Sequence, residues 1–155
     1  MIHCLDAYQF QNGLQPLKSA ESLSMSLAGF MRKTSMVPVI SDFLFDEAGA
    51  IIKELAHLNS SHDVFIVLID SAFAFELPPI SAGWIEAFDV ETGRSKVMSR
   101  GALRGLSART RTWQDEVARM AKASDLDVLR IGVDEVQTAI ALSEFIAERR
   151  LRKAA

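Results

Sequence analysis

The chain has 155 residues, of which 49% are apolar and 24% charged, and its formal net charge is −3. This size and composition predict one globular domain with a core, and a slightly acidic chain gives no support to binding of nucleic acid or of an anionic membrane surface. The lone cysteine, Cys4, excludes an internal disulfide and a cysteine-rich zinc site. No apolar run reaches the roughly 18 residues of a membrane span, and the N-terminus lacks a basic region followed by an apolar one, so we expect a cytoplasmic protein.

The first predicted helix begins at Ser19 and has an apolar stripe at Leu23, Leu27, Phe30 and Met31. The alternatives for residues 1–18 are a loop alone or a loop with an extra strand. In that strand one face would carry Ile2, Cys4, Tyr8 and Phe10, with Asp6 on the same face.

Two strands are predicted next, separated by a helix. Val37 to Phe43 reads as a strand, with Pro38 near its beginning, where a lost ladder donor is tolerated if one side of the strand is unpaired. Asp46 is expected to cap a helix whose apolar face carries Ile51, Ile52, Leu55 and Leu58. Asp63 to Asp70 is almost continuously apolar, which is typical of a central parallel strand covered on both faces.

The second half of the chain continues the alternation. Two short runs around Gly93 predict a β-hairpin, and a helix follows with a stripe of Trp113, Val117, Met120 and Ala121. Asp127 to Val133 reads as a strand nearer an edge, because Arg130 interrupts it. Asp134 and Gln137 form a capping pair that opens the last helix. We expect its inner face to carry Val136, Ala139, Ile140, Leu142, Phe145 and Ile146, and its outer face Glu144, Glu148, Arg149 and Arg152.

This order of elements predicts an α/β fold: a short, mainly parallel sheet flanked by helices, with a small β-hairpin insertion. The basic residues between Arg94 and Arg119 and between Arg149 and Lys153 are read as solvated helix faces.

An ordered set of short motifs runs through these elements. It consists of Ser41-Asp42-Phe43, His62-Asp63-Val64, Asp70, Glu76-Leu77-Pro78, Gly83, Asp89 and Glu91-Thr92-Gly93. Together they resemble the C-terminal half of the domain of unknown function 58 family, from about Leu27 to Lys153. Its members are von Willebrand factor A-like proteins, often encoded beside MoxR-type AAA+ ATPases. The resemblance implies a single von Willebrand A-like (Rossmann-like) domain, residues 1–155, that lacks the N-terminal metal-motif half.

The family holds a divalent cation with a DxSxS motif, a threonine and an aspartate after the fourth strand. Only the last is matched here, by Asp42 with Ser41 beside it. The nearest lookalike of DxSxS is "AESLSM", which has alanine in place of the aspartate. The resemblance therefore implies an incomplete metal site at Ser41 and Asp42, with no cofactor expected and at most weak binding of Mg²⁺.

Several readings of single residues stay open. Asp42 is either a metal ligand or a cap of the loop that follows it. Asp42 and Asp70 at one rim also allow a Mg²⁺-dependent hydrolase or phosphoryl-transfer enzyme, for which Lys53 is the lysine close in sequence. A structural role at the opposite edge is expected for His57 and His62.

An aromatic group has two readings as well. Phe73, Phe75 and Trp84 either form an exposed partner surface or pack beneath the hairpin.

The function expected from all this is that of a non-catalytic protein–protein interaction module linked to a MoxR-type ATPase. Partner binding is assigned to Ser41, Asp42, Phe43, Asp70 and the open edge of the sheet. Without the DxSxS strand, the strand before Asp42 would keep an unpaired side. The N-terminal segment, a second copy or another protein could fill it, and a homodimer through this open edge is the favoured solution.

Overall fold

The computed structural model describes residues 31, 33–75, 83–89 and 94–154. The elements found there are β1 (Met36–Ser41), α1 (Ala48–Asn59), β2 (Asp63–Ile69), a 3₁₀-helix (Ala72–Phe75), β3 (Trp84–Asp89), β4 (Arg94–Ser99), α2 (Arg100–Ala123), β5 (Asp127–Ile131) and α3 (Glu135–Ala154). The helix predicted from Ser19 lies outside the described residues as far as residue 30, and Met31, the last residue of its apolar stripe, is described and is not helical. The optional strand in residues 1–18 and the turn at Gly93 also lie outside the described residues.

The main sheet has three parallel strands in the order β1-β2-β5, and β3 and β4 form a separate antiparallel pair. The predictions of an α/β fold with a short parallel sheet and a small hairpin are therefore confirmed. In the described ranges no helix is both long enough and apolar enough to span a bilayer.

The central strand, β2, is covered on both faces, as its apolar run predicted. Five successive residues, Val64 to Leu68, are buried. Val64, Ile66 and Leu68 join a core with α1 and α2, whereas Phe65, on the opposite face, meets Phe145 of α3 with ring centroids 5.2 Å apart. Helices therefore lie on both sides of the sheet.

The apolar stripes predicted for α1 and α2 also face the core. The buried residues of α1 include the four that were predicted, Ile51, Ile52, Leu55 and Leu58. In α2, Val117 and Ala121 are buried, and Trp113 and Met120 pack against the core. The cap expected at Asp46 is wrong, because the residue directly before α1 is Glu47. The side chain of Glu47 makes no capping hydrogen bond.

The inner face predicted for α3 is wrong in part. Val136, Ile140 and Leu142 are exposed, as is Ala139, whereas Phe145 and Ile146 are half-buried. Arg149, expected outside, turns inward and its side chain is only 11% exposed. The helix is therefore rotated relative to the face that its apolar spacing indicates.

The reason for this rotation is an ion-pair cluster at the amino-terminal edge of the sheet. Asp63 begins β2 and Asp127 begins β5, so two carboxylates stand on neighbouring strands. The guanidinium of Arg149 pairs with both and lies 4.8 Å from the ring centre of Phe65. Two partly buried carboxylates need such a cation, and α3 turns to supply it.

Pro38 limits backbone hydrogen bonding on the free side of β1, which is the side away from β2. The carbonyl of Ser35 accepts the N–H of Asp63 at 2.9 Å, so the backbone groups of Ser35 and of every second residue after it point toward β2. The backbone groups of Pro38 therefore point to the free side of β1, away from β2. Because proline has no N–H, this side of β1 lacks one hydrogen-bond donor at Pro38. In the described part of the chain β1 pairs with β2 alone. A strand added on the free side would face this missing donor in the middle of β1.

We predict that Arg149→Leu lowers the free energy of unfolding by about 3–5 kcal/mol, because it removes the largely buried cation that pairs with both Asp63 and Asp127. Arg152→Leu is the matched control. It removes a second, 59% exposed partner of Asp127 from the same helix and should cost less than about 1 kcal/mol. Urea unfolding of both variants measures the difference, and equal effects would contradict a special role of Arg149.

Candidate functional site

The carboxyl-terminal edge of the sheet carries most of the residues singled out from the sequence. Ser41 ends β1 and is followed by Asp42, and Asp70 follows β2. Since β1 and β2 are parallel neighbours, the two loops leave the sheet side by side. We call this edge, residues 41–46 and 69–73, the rim.

One side chain of α2 joins the two loops of the rim. Nε2 of Gln114 donates to the backbone oxygens of Asp42 at 3.0 Å and Ile69 at 2.7 Å, and lies 3.3 Å from Oγ of Ser71. The Gln114 side chain is buried, and a buried carbonyl without a donor costs about 1–3 kcal/mol. The amide therefore satisfies the carbonyls left at the ends of two strands and fixes the loops relative to each other.

A tight turn at Phe43 follows β1. Phe43 has a φ of 53°, a left-handed conformation that costs a non-glycine residue on the order of 1–3 kcal/mol. Its N–H donates to Oγ of Ser41 at 3.0 Å, and its carbonyl accepts from Nε1 of Trp113 at 2.7 Å. The turn directs the ring into the core, where Phe43 is 1% exposed. We therefore remove Phe43 from the expected partner-binding residues, because a buried ring cannot contact a partner.

The two aspartates of the rim each cap their own loop. Oδ1 of Asp42 accepts the N–H of Leu44 at 3.3 Å, and Oδ1 of Asp70 accepts the N–H of Ala72 at 2.9 Å. In both turns an aspartate binds the backbone two residues further on. The structure thus shows the loop-capping role that was one of the two readings of Asp42.

The oxygens of the rim are largely engaged by protein donors. Among the described residues there is no group of three or more His, Cys, Asp or Glu side chains that could hold a metal. Oγ of Ser41 accepts from Phe43, and the carbonyls of Asp42 and Phe43 accept from Gln114 and Trp113. Mg²⁺ needs a near-octahedral shell of oxygens. Oγ of Ser41 and Oδ1 of Asp42 already accept backbone N–H groups, so we derive no chemistry through a metal here.

The other titratable candidates lie apart from the rim. His62 precedes β2 at the opposite edge, and its Nδ1 accepts the N–H of Ser35 at 3.3 Å, in agreement with the structural role expected for it. His57 lies in the last turn of α1, near that same edge, and Lys53 is exposed on the same helix. The structure places the two aspartates after neighbouring strands at one edge of the sheet, and the histidines near the opposite edge.

The rim also exposes large apolar side chains. Leu44, Phe45, Ile69 and Phe73 are 37–44% exposed. Phe73 was named from the sequence as one member of a possible exposed aromatic surface, but the other three were missed. Leu44 and Phe45 follow Ser41-Asp42-Phe43 in the sequence, and after the turn at Phe43 they lie exposed whereas Phe43 is buried. The positive φ that makes this turn leaves no clear signal in the sequence.

Two clefts adjoin the rim. One, of ≈380 Å³, lies between the end of β2 and the β5–α3 loop and is lined by Asp70, Phe73 and Arg130 among others. Arg130 is paired with Asp115 at 2.6 Å, so its charge is already matched. The other, of ≈520 Å³, lies beside α2 and includes Leu44, Phe45 and Trp113. Both are open surface features next to the exposed apolar residues.

Comparison with protein-family models, curated proteins and solved structures gives no match for this chain. The resemblance to the domain of unknown function 58 family, and with it the von Willebrand A-like identity, stays a prediction from the ordered motifs.

We predict that Gln114→Leu lowers the free energy of unfolding by about 2–4 kcal/mol, since buried carbonyls of both loops lose their donor while the volume of the side chain is nearly kept. Gln137→Leu, on the exposed side of α3, is the matched control and should change stability by less than about 0.5 kcal/mol. Chemical denaturation measures both. A loss below about 0.5 kcal/mol for Gln114→Leu would show that the amide does not hold the rim.

Proposed function

We propose that this chain is a non-catalytic protein–protein interaction module that works with a MoxR-type AAA+ ATPase in assembling or remodelling other complexes. The observation that carries the interaction is the rim, where exposed apolar side chains stand beside aspartates on a fixed backbone. The link to the ATPase rests on the family resemblance alone.

The rigidity of the rim supports this proposal. The loop after β1 is held by Trp113 and Gln114, and the loop after β2 by Gln114 and the Asp70 cap. A surface whose backbone is already ordered loses little conformational entropy when a partner binds. These bonds occupy polar groups that a catalytic site would need for its substrate, which favours a docking role over chemistry.

The composition of the rim indicates the chemistry of the partner. Leu44 and Phe73 offer apolar contact area, and Asp42, Asp46 and Asp70 place negative charge around them. An apolar centre with a charged margin is the usual anatomy of a protein interface. The matching surface would carry apolar side chains flanked by Arg, Lys or backbone N–H groups.

We predict that Leu44→Glu and Phe73→Glu each weaken binding to the MoxR-type ATPase of the same organism at least about tenfold, because a carboxylate would be buried against an apolar partner surface. Val97→Glu, at a 63% exposed position on the hairpin, is the control and should bind like the unchanged chain. Biolayer interferometry with purified proteins measures the affinities, and thermal unfolding verifies that each variant is folded. Equal affinity of all three variants would refute the rim as the docking surface.

The alternative function is a Mg²⁺-dependent hydrolase or phosphoryl-transfer enzyme that uses Asp42 and Asp70. Calorimetric titration with Mg²⁺ separates it from a docking module. We expect no binding heat at millimolar Mg²⁺, for the unchanged chain or for Asp42→Asn, which keeps an oxygen to cap the loop. Sub-millimolar binding that Asp42→Asn abolishes would instead support a metal-dependent enzyme.

A further inference from the structure

We propose that the first half of α2 binds an acidic segment of a partner protein, whose Asp and Glu carboxylates pair with a row of arginines. The row consists of Arg100, Arg104 and Arg111 and is called the basic row. It is distinct from the apolar residues of the rim, so this proposal goes beyond the docking of an ATPase and does not rest on it.

The charges of the chain are unevenly distributed along the sequence. Between Arg94 and Gln114 there are six Lys or Arg residues and no Asp or Glu, although the whole chain has 17 basic and 20 acidic residues. A chain with a net charge of −3 therefore contains a segment that is strongly basic. Such a segment attracts anionic partners even when the protein as a whole is slightly acidic.

The helix brings three of these basic residues onto one side. Successive residues of an α-helix are turned by about 100°, so Arg100, Arg104 and Arg111 lie within about 40° of one another and span roughly 16 Å along the axis. Arg104 and Arg111 are exposed, and Arg100 is half-buried. The buried residues of this half lie beside the row, at Leu103, Ser107 and Thr110.

This half of α2 extends past the carboxyl-terminal edge of the sheet. Trp113 and Gln114 contact the backbone where β1 and β2 end, and α2 continues from there along the core toward the start of β5. The residues before Trp113 therefore lie beyond the strands. At Ser107 the helix contacts the carbonyl of Ala72 in the loop after β2. The outer side of this half is left accessible to a partner.

The positive charge at the start of α2 is poorly matched within the described part of the chain. Arg104 makes no ion pair there, and Nε of Arg100 is buried without a hydrogen-bond acceptor. By contrast, Arg119 in the second half of α2 is paired with Glu116. A partly buried cation that lacks an acceptor is destabilising, and a carboxylate beside its guanidinium offsets that cost.

The surroundings of the basic row favour a short acidic segment of a protein over a nucleic acid or a membrane. The adjoining rim carries Asp42, Asp46 and Asp70. A long polyanion or an anionic bilayer would extend over these carboxylates and be repelled by them. Arginine presents forked donors that bind a carboxylate in a bidentate pair. A segment with Asp or Glu side chains over about the length of the row fits it without reaching the rim.

The first test measures binding of a fluorescently labelled oligoglutamate of twelve residues by anisotropy at low salt. We expect the unchanged chain to bind it, and Arg104→Glu to weaken binding at least about tenfold, because a like charge then faces the peptide. Arg150→Glu is the matched control. It makes the same change of net charge at an exposed position of α3 and should change the affinity less than about twofold. Absence of binding, or an equal loss in both variants, would overturn the proposal.

The second test compares other anions with the same chain. We expect weaker binding of a single DNA strand of twelve nucleotides, which carries about the same charge, and of vesicles that contain phosphatidylserine. Tighter binding of either would overturn the acidic protein segment as the occupant. Arg104→Gln, which removes the charge without reversing it, should also weaken oligoglutamate binding, and circular dichroism verifies that each variant is folded. Since oligoglutamate is the probe, loss of ATPase binding at the rim leaves this result unchanged.

Discussion

The position of the Gln114 amide is the constraint on which the rim depends. Where a parallel sheet ends, backbone carbonyls no longer have a hydrogen-bond donor on the adjacent strand. A carbonyl that is buried there needs another donor. Gln114 supplies donors to carbonyls after β1 and at the end of β2, and Trp113 to the one that follows on the β1 side. Helix α2 therefore does more than cover the sheet, because it fixes where both loops begin and which side chains they expose.

At the amino-terminal edge of the sheet, polar side chains likewise pair with charged and backbone groups of the fold. There the two aspartates that begin β2 and β5 are bridged by Arg149, and the backbone next to them is bound by His62. At both edges the polar residues that first suggest chemistry serve the fold. Large apolar side chains are exposed beside these edges, among them Leu44, Phe45 and Phe73 of the rim and Met36 and Ile40 of β1.

The elements that could be read from the sequence are those with a strong local pattern. The continuous apolar run of β2, the stripe of α1 and the strand interrupted by Arg130 all correspond to observed elements. The rotation of α3 could not be read, because its apolar spacing points to Val136 and Ile140, whereas its real orientation depends on carboxylates more than twenty residues away. The sequence also assigns Phe43 to the partner surface, whereas the left-handed backbone at this residue directs its ring into the core.

The sequence by itself determined the fold class, the order of the elements and the positions of Asp42 and Asp70 at the ends of strands, because these follow from local hydrophobic periodicity and from the direction of parallel strands. Only the tertiary structure decided what those residues do. Whether an aspartate caps a turn, whether a phenylalanine is buried and which face of a strand stays bare depend on donors and side chains that distant segments bring together. Gln114, 72 positions beyond Asp42, is the clearest case.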